Sequence, residues 1–100
     1  MMLDLDRITG FDWDAGNVTK SAAKHTVSGW EAEQVFFNAP LVLAEDLQHS
    51  QAEPRYHALG RTDAGRRLPI TFTLRASATQ IRVISARDLH RKERKLYAPA

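Results

Sequence analysis

Apolar and acidic residues alternate through Phe11-Asp12-Trp13-Asp14, the period of two expected of a short strand with one buried face. Ala15-Gly16-Asn17 breaks that alternation and offers a helix start. Over the stretch from Val18 to His25, Ala22, Ala23 and Lys24 favour helix, whereas Val18 and Thr19 do not. Ser28-Gly29-Trp30-Glu31 has the spacing of a capping box, in which Ser28 caps the Glu31 amide and the Glu31 carboxylate reaches back. The helix it opens is expected to carry Trp30, Val35 and Phe36 inward and to stop at Asn38-Ala39-Pro40. Leu41-Val42-Leu43 predicts a short strand, followed by a polar loop from about Ala44 to Pro54.

The second half is strand-rich. The run from Arg55 to Arg61 has strand character and ends in the turn Thr62-Asp63-Ala64-Gly65. From Leu68 to Arg75, Ile70, Phe72 and Leu74 fall on one face and Thr71 and Thr73 on the other. Ala76-Ser77-Ala78-Thr79 turns the chain into a strand from Gln80 to Ala86, where Ile81 and Val83 alternate with Arg82 and Ile84. Three strands joined by short turns make an antiparallel meander. Pro69 stands inside it, and proline suits only an edge or a strand start. Asp88 is placed to cap a final helix from Leu89 to about Tyr97, with Leu89, Leu96 and Tyr97 on one side. The resulting fold class is α+β: an N-terminal strand and two helices, an antiparallel β-meander, and a C-terminal basic helix, with helices on one face of the sheet.

The 100 residues suit a single domain, 1–100, with 43% apolar residues to fill one core. There is no cysteine, which rules out disulfides, thiolate metal sites and a cysteine nucleophile, and favours a cytoplasmic location. The acidic start Met1-Met2-Leu3-Asp4-Leu5-Asp6-Arg7 does not read as a signal peptide, and no apolar run approaches membrane-spanning length. Charge is unevenly distributed. Residues 1–54 hold three Lys or Arg against nine Asp or Glu, a net of −6, and residues 55–100 hold eleven against three, a net of +8. The halves add to the overall +2. Such a division suits a polyanion or an acidic partner, or two halves that neutralise one another across the fold.

Four features could carry chemistry. Lys24-His25 pairs a phosphate-seeking ammonium with an imidazole, though a cation at a helix C-terminus also has a structural use. Glu53-Pro54-Arg55-Tyr56 leads to Gly60-Arg61, and a strand here puts Arg55, His57, Leu59 and Arg61 on one face, either meeting an anion or simply solvated. Ser85 and Arg87 end the last strand, where local turn chemistry competes with anion binding. Arg91, Lys92, Arg94 and Lys95 with Tyr97 form a basic stretch suited to an RNA backbone and an exposed base, or to water. There is no phosphate-binding Gly-rich loop and no His-Glu-x-x-His zinc helix, and acidic residues do not cluster as two-metal nucleases need. Phosphodiester chemistry here would be metal-free and without a cofactor.

In order, Phe11-Asp12-Trp13-Asp14, Asn17, Lys24-His25-Thr26-Val27-Ser28, Glu31-Ala32 and Val35-Phe36 resemble the BrnT toxin family. The likeness continues through Glu53, Arg55-Tyr56, Leu59-Gly60-Arg61, Ile70, Phe72-Thr73, the run from Ile81 to Arg87, Arg91, Glu93-Arg94 and Tyr97. It covers nearly the whole chain, and its specificity lies in the ordered set. Thr26 stands where the family usually has glycine after Lys-His.

The resemblance implies a RelE-like fold and a metal-independent endoribonuclease that arrests growth. It implies further that a BrnA-type antitoxin neutralises the protein, and that operator DNA is bound only through that antitoxin. The family's Lys-His pair maps onto Lys24 and His25, its Glu and Arg onto Glu53 and Arg55, its Gly-Arg onto Gly60-Arg61, and its Ser-Ala-Arg onto Ser85-Ala86-Arg87. The expected catalytic set is therefore Lys24, His25, Glu53, Arg61, Ser85 and Arg87. RNA contacts are expected from Arg55, Arg82, Arg91, Lys92, Arg94 and Tyr97. Arg61 and Arg87 would stabilise charge on phosphorus with help from Lys24, and either His25 or Glu53 would take the proton. The competing reading is a non-catalytic basic module acting only as partner or co-repressor. A protein that binds duplex DNA directly is a weaker third, because no helix-turn-helix precedes the basic stretch.

Overall fold

Alternating burial builds the centre of the molecule. In the computed structural model, which describes residues 3–17, 27–48 and 52–91, Tyr56, Ala58 and Gly60 are buried while His57 and Arg61 between them are exposed. That alternation marks one strand of a five-stranded sheet. Its members are β1 (Gly10–Phe11), β2 (Val42–Glu45), β3 (Tyr56–Arg61), β4 (Arg67–Arg75) and β5 (Gln80–Ala86), in the order β1-β5-β4-β3-β2. Strands β3 to β5 pair antiparallel, as the meander predicts; β2 adds antiparallel to β3, and β1 adds parallel to β5. The sheet is thus mixed, and the fold class is α+β.

The inner face of the sheet carries the core. Tyr56, Ala58, Leu68, Ile70, Phe72, Ile81, Val83 and Ala86 cluster with Val27, Ala32 and Val35. Ala32 and Val35 belong to helix α1 (Gly29–Val35), which opens with the capping box: Ser28 Oγ accepts from the Glu31 amide, and Glu31 Oε1 accepts from the Ser28 amide. Phe72 is the hub, with Phe36 edge-on at 5.2 Å and Tyr56 stacked at 5.5 Å. Trp30, expected inside, is 66% exposed. The inward positions are Ala32, Val35 and Phe36, at helical spacing, and Trp30 lies about 200° around the helix from Ala32. Trp13 packs there instead: its ring lies against Gly29, and its Nε1 donates to Glu33 Oε2 at 2.7 Å.

The first strand differs from the expected Phe11–Asp14. It ends at Phe11, because Asn17 takes the backbone groups a longer strand would use. Asn17 Nδ2 donates to the Asp12 and Val83 carbonyls at 3.0 and 3.1 Å, and its Oδ1 accepts from the Asp14 amide at 2.7 Å. Asp14 Oδ1 in turn accepts from the Gly16 and Asn17 amides, where residues 15–17 begin a helix. The remainder of that predicted helix lies outside the described residues.

Strand β2 starts and ends later than predicted, and its pairing with β3 carries it to Glu45. Pro69 lies in β4, a central strand, yet causes no break. Its carbonyl accepts from the Arg87 amide at 3.3 Å, so its proton-less nitrogen faces the same side, just past the end of the β4–β5 ladder at Ile70–Ala86. The expected final helix does not begin at Leu89. Leu89 and His90 are not helical, and the Leu89 amide donates to the Arg67 carbonyl at 3.0 Å. The Asp88 carboxylate is bound by Arg66 at 2.6 and 2.9 Å. Residues 92–100, with the rest of that helix, lie outside the described residues.

Candidate active site

The outer face of the sheet is open, and its residues fall in transverse rows set by strand register. One row runs Ala44–His57–Thr71–Ser85 across β2, β3, β4 and β5. The next runs Val42–Leu59–Pro69 and ends at Arg87, whose amide bonds to Pro69. Val42, Ala44, His57, Leu59, Pro69, Arg87 and Leu89 line a cleft of about 440 Å³. Its walls are mostly apolar, with the imidazole of His57 and the guanidinium of Arg87 as polar groups. A bulge in β5 makes this arrangement possible. Thr71 pairs with Ser85 but Phe72 pairs with Val83, so Ile84 is the extra residue, and Ser85 and Arg87 emerge on the outer side while Ala86 is buried.

His57 is held from two sides on this face. Its Nε2 lies 3.0 Å from Asp46 Oδ2, and its Nδ1 lies 3.1 Å from Thr71 Oγ1. The His57 side chain is half exposed, at 50%, whereas that of Asp46 is 10% exposed. The sequence pattern places His57 on a basic strand face and Asp46 in a polar loop. Their contact depends on the β2–β3 register, which no local pattern in the sequence announces.

The expected site residues scatter more than the sequence suggests. Ser85 and Arg87 stand together on the cleft side, with Arg55 on the same outer face of the sheet as His57. Arg61 lies at the far end of β3, where its Nε donates to the Ala39 carbonyl at 2.9 Å. Glu53 binds Arg75 at 2.5 Å. Arg75 is six residues along β4 from Pro69, about 20 Å of strand, so Glu53 belongs to the end of β4 away from Pro69 and Arg87. Arg82 is held by Asp14 at 3.0 and 3.2 Å and by Asp12 at 3.5 Å, strapping β5 to the end of β1. That guanidinium keeps the Asp14 carboxyl below its ordinary value. Arg91 is the last described residue, and Lys24, His25, Lys92, Arg94 and Tyr97 lie outside the described residues.

A second network supports the cleft from below. Arg66 bonds Glu31 Oε2 at 3.1 Å while it clamps Asp88, so helix α1, the β3–β4 turn and the segment after Arg87 meet at one guanidinium. Burial pushes the Glu31 carboxyl up, but the Ser28 amide and hydroxyl and the Arg66 guanidinium outweigh it and hold it below its ordinary value. Among the described residues no three His, Asp or Glu side chains come together as metal ligands, and no helix is long and apolar enough to cross a membrane.

An α+β domain with a cleft between an arginine and a carboxylate-bound histidine, on a chain whose second half is strongly basic, is of the kind that handles anionic substrates. Residues 13–93 match the family described as ribonuclease toxin, BrnT, of type II toxin-antitoxin system. The chain belongs to this family of ribonuclease toxins. No curated protein matches it.

Proposed function

We propose that this toxin is a metal-independent endoribonuclease with a RelE-like arrangement. It cuts RNA in the cytoplasm, inhibits translation and growth, and is neutralised by a BrnA-type antitoxin that also carries the pair to operator DNA. The supporting observation is the cleft itself: Arg87 stands on an open apolar groove beside the row His57–Thr71–Ser85. A guanidinium there matches the non-bridging oxygens of a phosphodiester, and the apolar walls Leu59, Pro69 and Leu89 accommodate a nucleobase.

In this reading a ribose 2′-hydroxyl attacks the adjacent phosphate, and Arg87 stabilises the added negative charge, with Arg61 and Lys24 assisting. Ser85 offers a further hydroxyl donor. Arg55, Arg82, Arg91, Lys92, Arg94 and Tyr97 extend the contact along the RNA, with Arg82 free to do so only where RNA competes with Asp12 and Asp14. The position of Glu53, tied to Arg75 and distant from Arg87, argues against it as the base.

The test is induction of the chain alone in a bacterial host beside Arg87→Ala. Growth arrest and fragmented RNA are expected from the native chain, and loss of one preorganised donor should slow cleavage of purified RNA by about 10²–10³-fold. Equal RNA cleavage by both chains would remove Arg87 from the site. A folded native chain that binds RNA but never cuts it would make this a non-catalytic module.

A further inference from the structure

We propose, resting on the ribonuclease reading above, that Asp46, His57 and Thr71 form the proton relay that activates the attacking 2′-hydroxyl. A carboxylate only accepts hydrogen bonds, so Asp46 fixes the ring proton of neutral His57 on Nε2. Nδ1 is then left as an acceptor, and the group 3.1 Å away is the Thr71 hydroxyl, which donates to it. The largely buried carboxylate thus orients a half-exposed imidazole, which polarises a hydroxyl on the outer sheet face. This is the order of parts by which a base activates an oxygen nucleophile, each group held by the next.

Location gives the relay its use. Thr71 sits between His57 and Ser85 in one row, and Arg87 is one row along on the neighbouring chain segment. Two residues along the strand and one strand across place the Thr71 and Arg87 backbones about 8 Å apart. One phosphodiester bridges that gap, with its ribose over Thr71 and its phosphate at Arg87. The 2′-hydroxyl gives its proton to Thr71 Oγ1 as the Thr71 proton passes to His57 Nδ1. The 2′-oxygen forms a bond to phosphorus, the bond from phosphorus to the 5′-oxygen breaks, and the leaving oxygen takes a proton from water. The product ends are a 2′,3′-cyclic phosphate and a 5′-hydroxyl, and His57 returns its proton to solvent. Asp46 is a positioning residue; among the described residues, the charged groups on the outer face with His57 include Asp46 just past β2, Arg55 and Arg61 along the β3 segment, Arg67 and Arg75 on β4, Arg82 on β5 and Arg87 just past β5, while the β4 group that touches the ring is the neutral Thr71.

The experiment follows cleavage of a single-stranded oligonucleotide by the full chain against pH, for the native protein, His57→Ala, Asp46→Asn, Thr71→Val and Thr71→Ser. The melting temperature of each is measured alongside. His57→Ala and Thr71→Val should each slow cleavage by about 10²-fold or more, and Thr71→Ser should retain most of the rate. In His57→Ala the fall in rate on the acid side, where an imidazole base is lost to protonation, should disappear, and added imidazole should restore part of the activity. Nitrogen NMR of the native ring should find the proton on Nε2, and in Asp46→Asn that preference should weaken together with the rate. If the native chain cuts RNA and folded His57→Ala cuts it equally fast with the acid-side fall intact, the relay is wrong and the ribonuclease reading stands. A native ring protonated on Nδ1 also overturns the relay. If the native chain cuts no RNA, the ribonuclease reading fails and takes the relay with it.

Discussion

Glu31 does two jobs that one pair of substitutions can separate. Its Oε1 closes the capping box of helix α1, accepting from the Ser28 amide at 3.1 Å and the Ser28 hydroxyl at 2.9 Å. Its Oε2 accepts from Arg66 at 3.1 Å. The two charged side chains are 21% and 25% exposed, so their attraction is screened but not lost, whereas Asp88, the other partner of Arg66, binds it through two contacts at 2.6 and 2.9 Å but is 61% exposed. Loss of the cap costs about 1 kcal/mol, and loss of a partly buried charged hydrogen bond costs about another 1 kcal/mol. Glu31→Ala should therefore destabilise the domain by about 2 kcal/mol, and Glu31→Gln, which preserves a capping box, by about 1 kcal/mol. At this chain length those costs correspond to falls in Tm of about 8–16 °C and about 4–8 °C. Thermal and urea unfolding of the three proteins is the assay. Equal losses for Ala and Gln would show that the cap contributes nothing and that the ion pair alone ties the helix to the β3–β4 turn. No loss for Gln would show that the ion pair is a surface contact without consequence.

Three further outcomes follow from particular contacts. The lowered carboxyl of Glu31 gives stability that is complete above its ordinary 4.5 and is lost as pH falls through the lower native value. The gap in urea midpoint between native protein and Glu31→Gln should accordingly narrow as pH is taken down through that range. Asn17→Ala should cost about 2–3 kcal/mol in chemical denaturation, because the buried Val83 carbonyl and the Asp14 amide lose their partner. Ala76, Ser77 and Ala78 have φ of 53°, 57° and 66°, three left-handed residues without a glycine, so Ala78→Gly should raise stability by about 0.5–1 kcal/mol in the same assay.

What could be read from the sequence was what short-range chemistry determines. The capping box needs only Ser28 and Glu31 three residues apart, and the β3–β4 and β4–β5 turns need only a break between two alternating runs. Long-range competition was not legible. Phe11-Asp12-Trp13-Asp14 alternates like a strand, but Asn17 and Arg82 claim its backbone and its carboxylates, and Arg82 comes from a strand nearly seventy residues later. Trp30 looks like a core residue by size, yet the helix phase set by Ala32 and Val35 points it outward. Asp88 has the chemistry of a cap, and Arg66 uses it as a clamp. The sequence pattern puts Ser85 and Arg87 at the end of the last strand, where β5 ends at Ala86, but the pair Asp46–His57 required the β2–β3 register before it could be seen at all.

The bulge in β5 shows why the cleft and the core cannot be designed separately. Strict alternation from Ile81 and Val83 would carry Ser85 and Arg87 to the buried face and Ala86 to the outside. The extra residue at Ile84 reverses the parity, so that Val83 and Ala86, three apart, both face the core. Ala86 then completes the packing over Ile70, and the same reversal delivers Ser85 beside Thr71 and Arg87 beside Pro69. A sheet with one packed face and one open face has its register fixed by burial, since a slip of one residue would expose Ile70 and Phe72. The outer residues inherit that precision without packing of their own. His57, Thr71, Ser85 and Arg87 are held in their rows because Tyr56, Ala58, Ile70, Phe72 and Ala86 between them are buried, and an open cleft can therefore keep a fixed geometry while remaining accessible to a long polyanion.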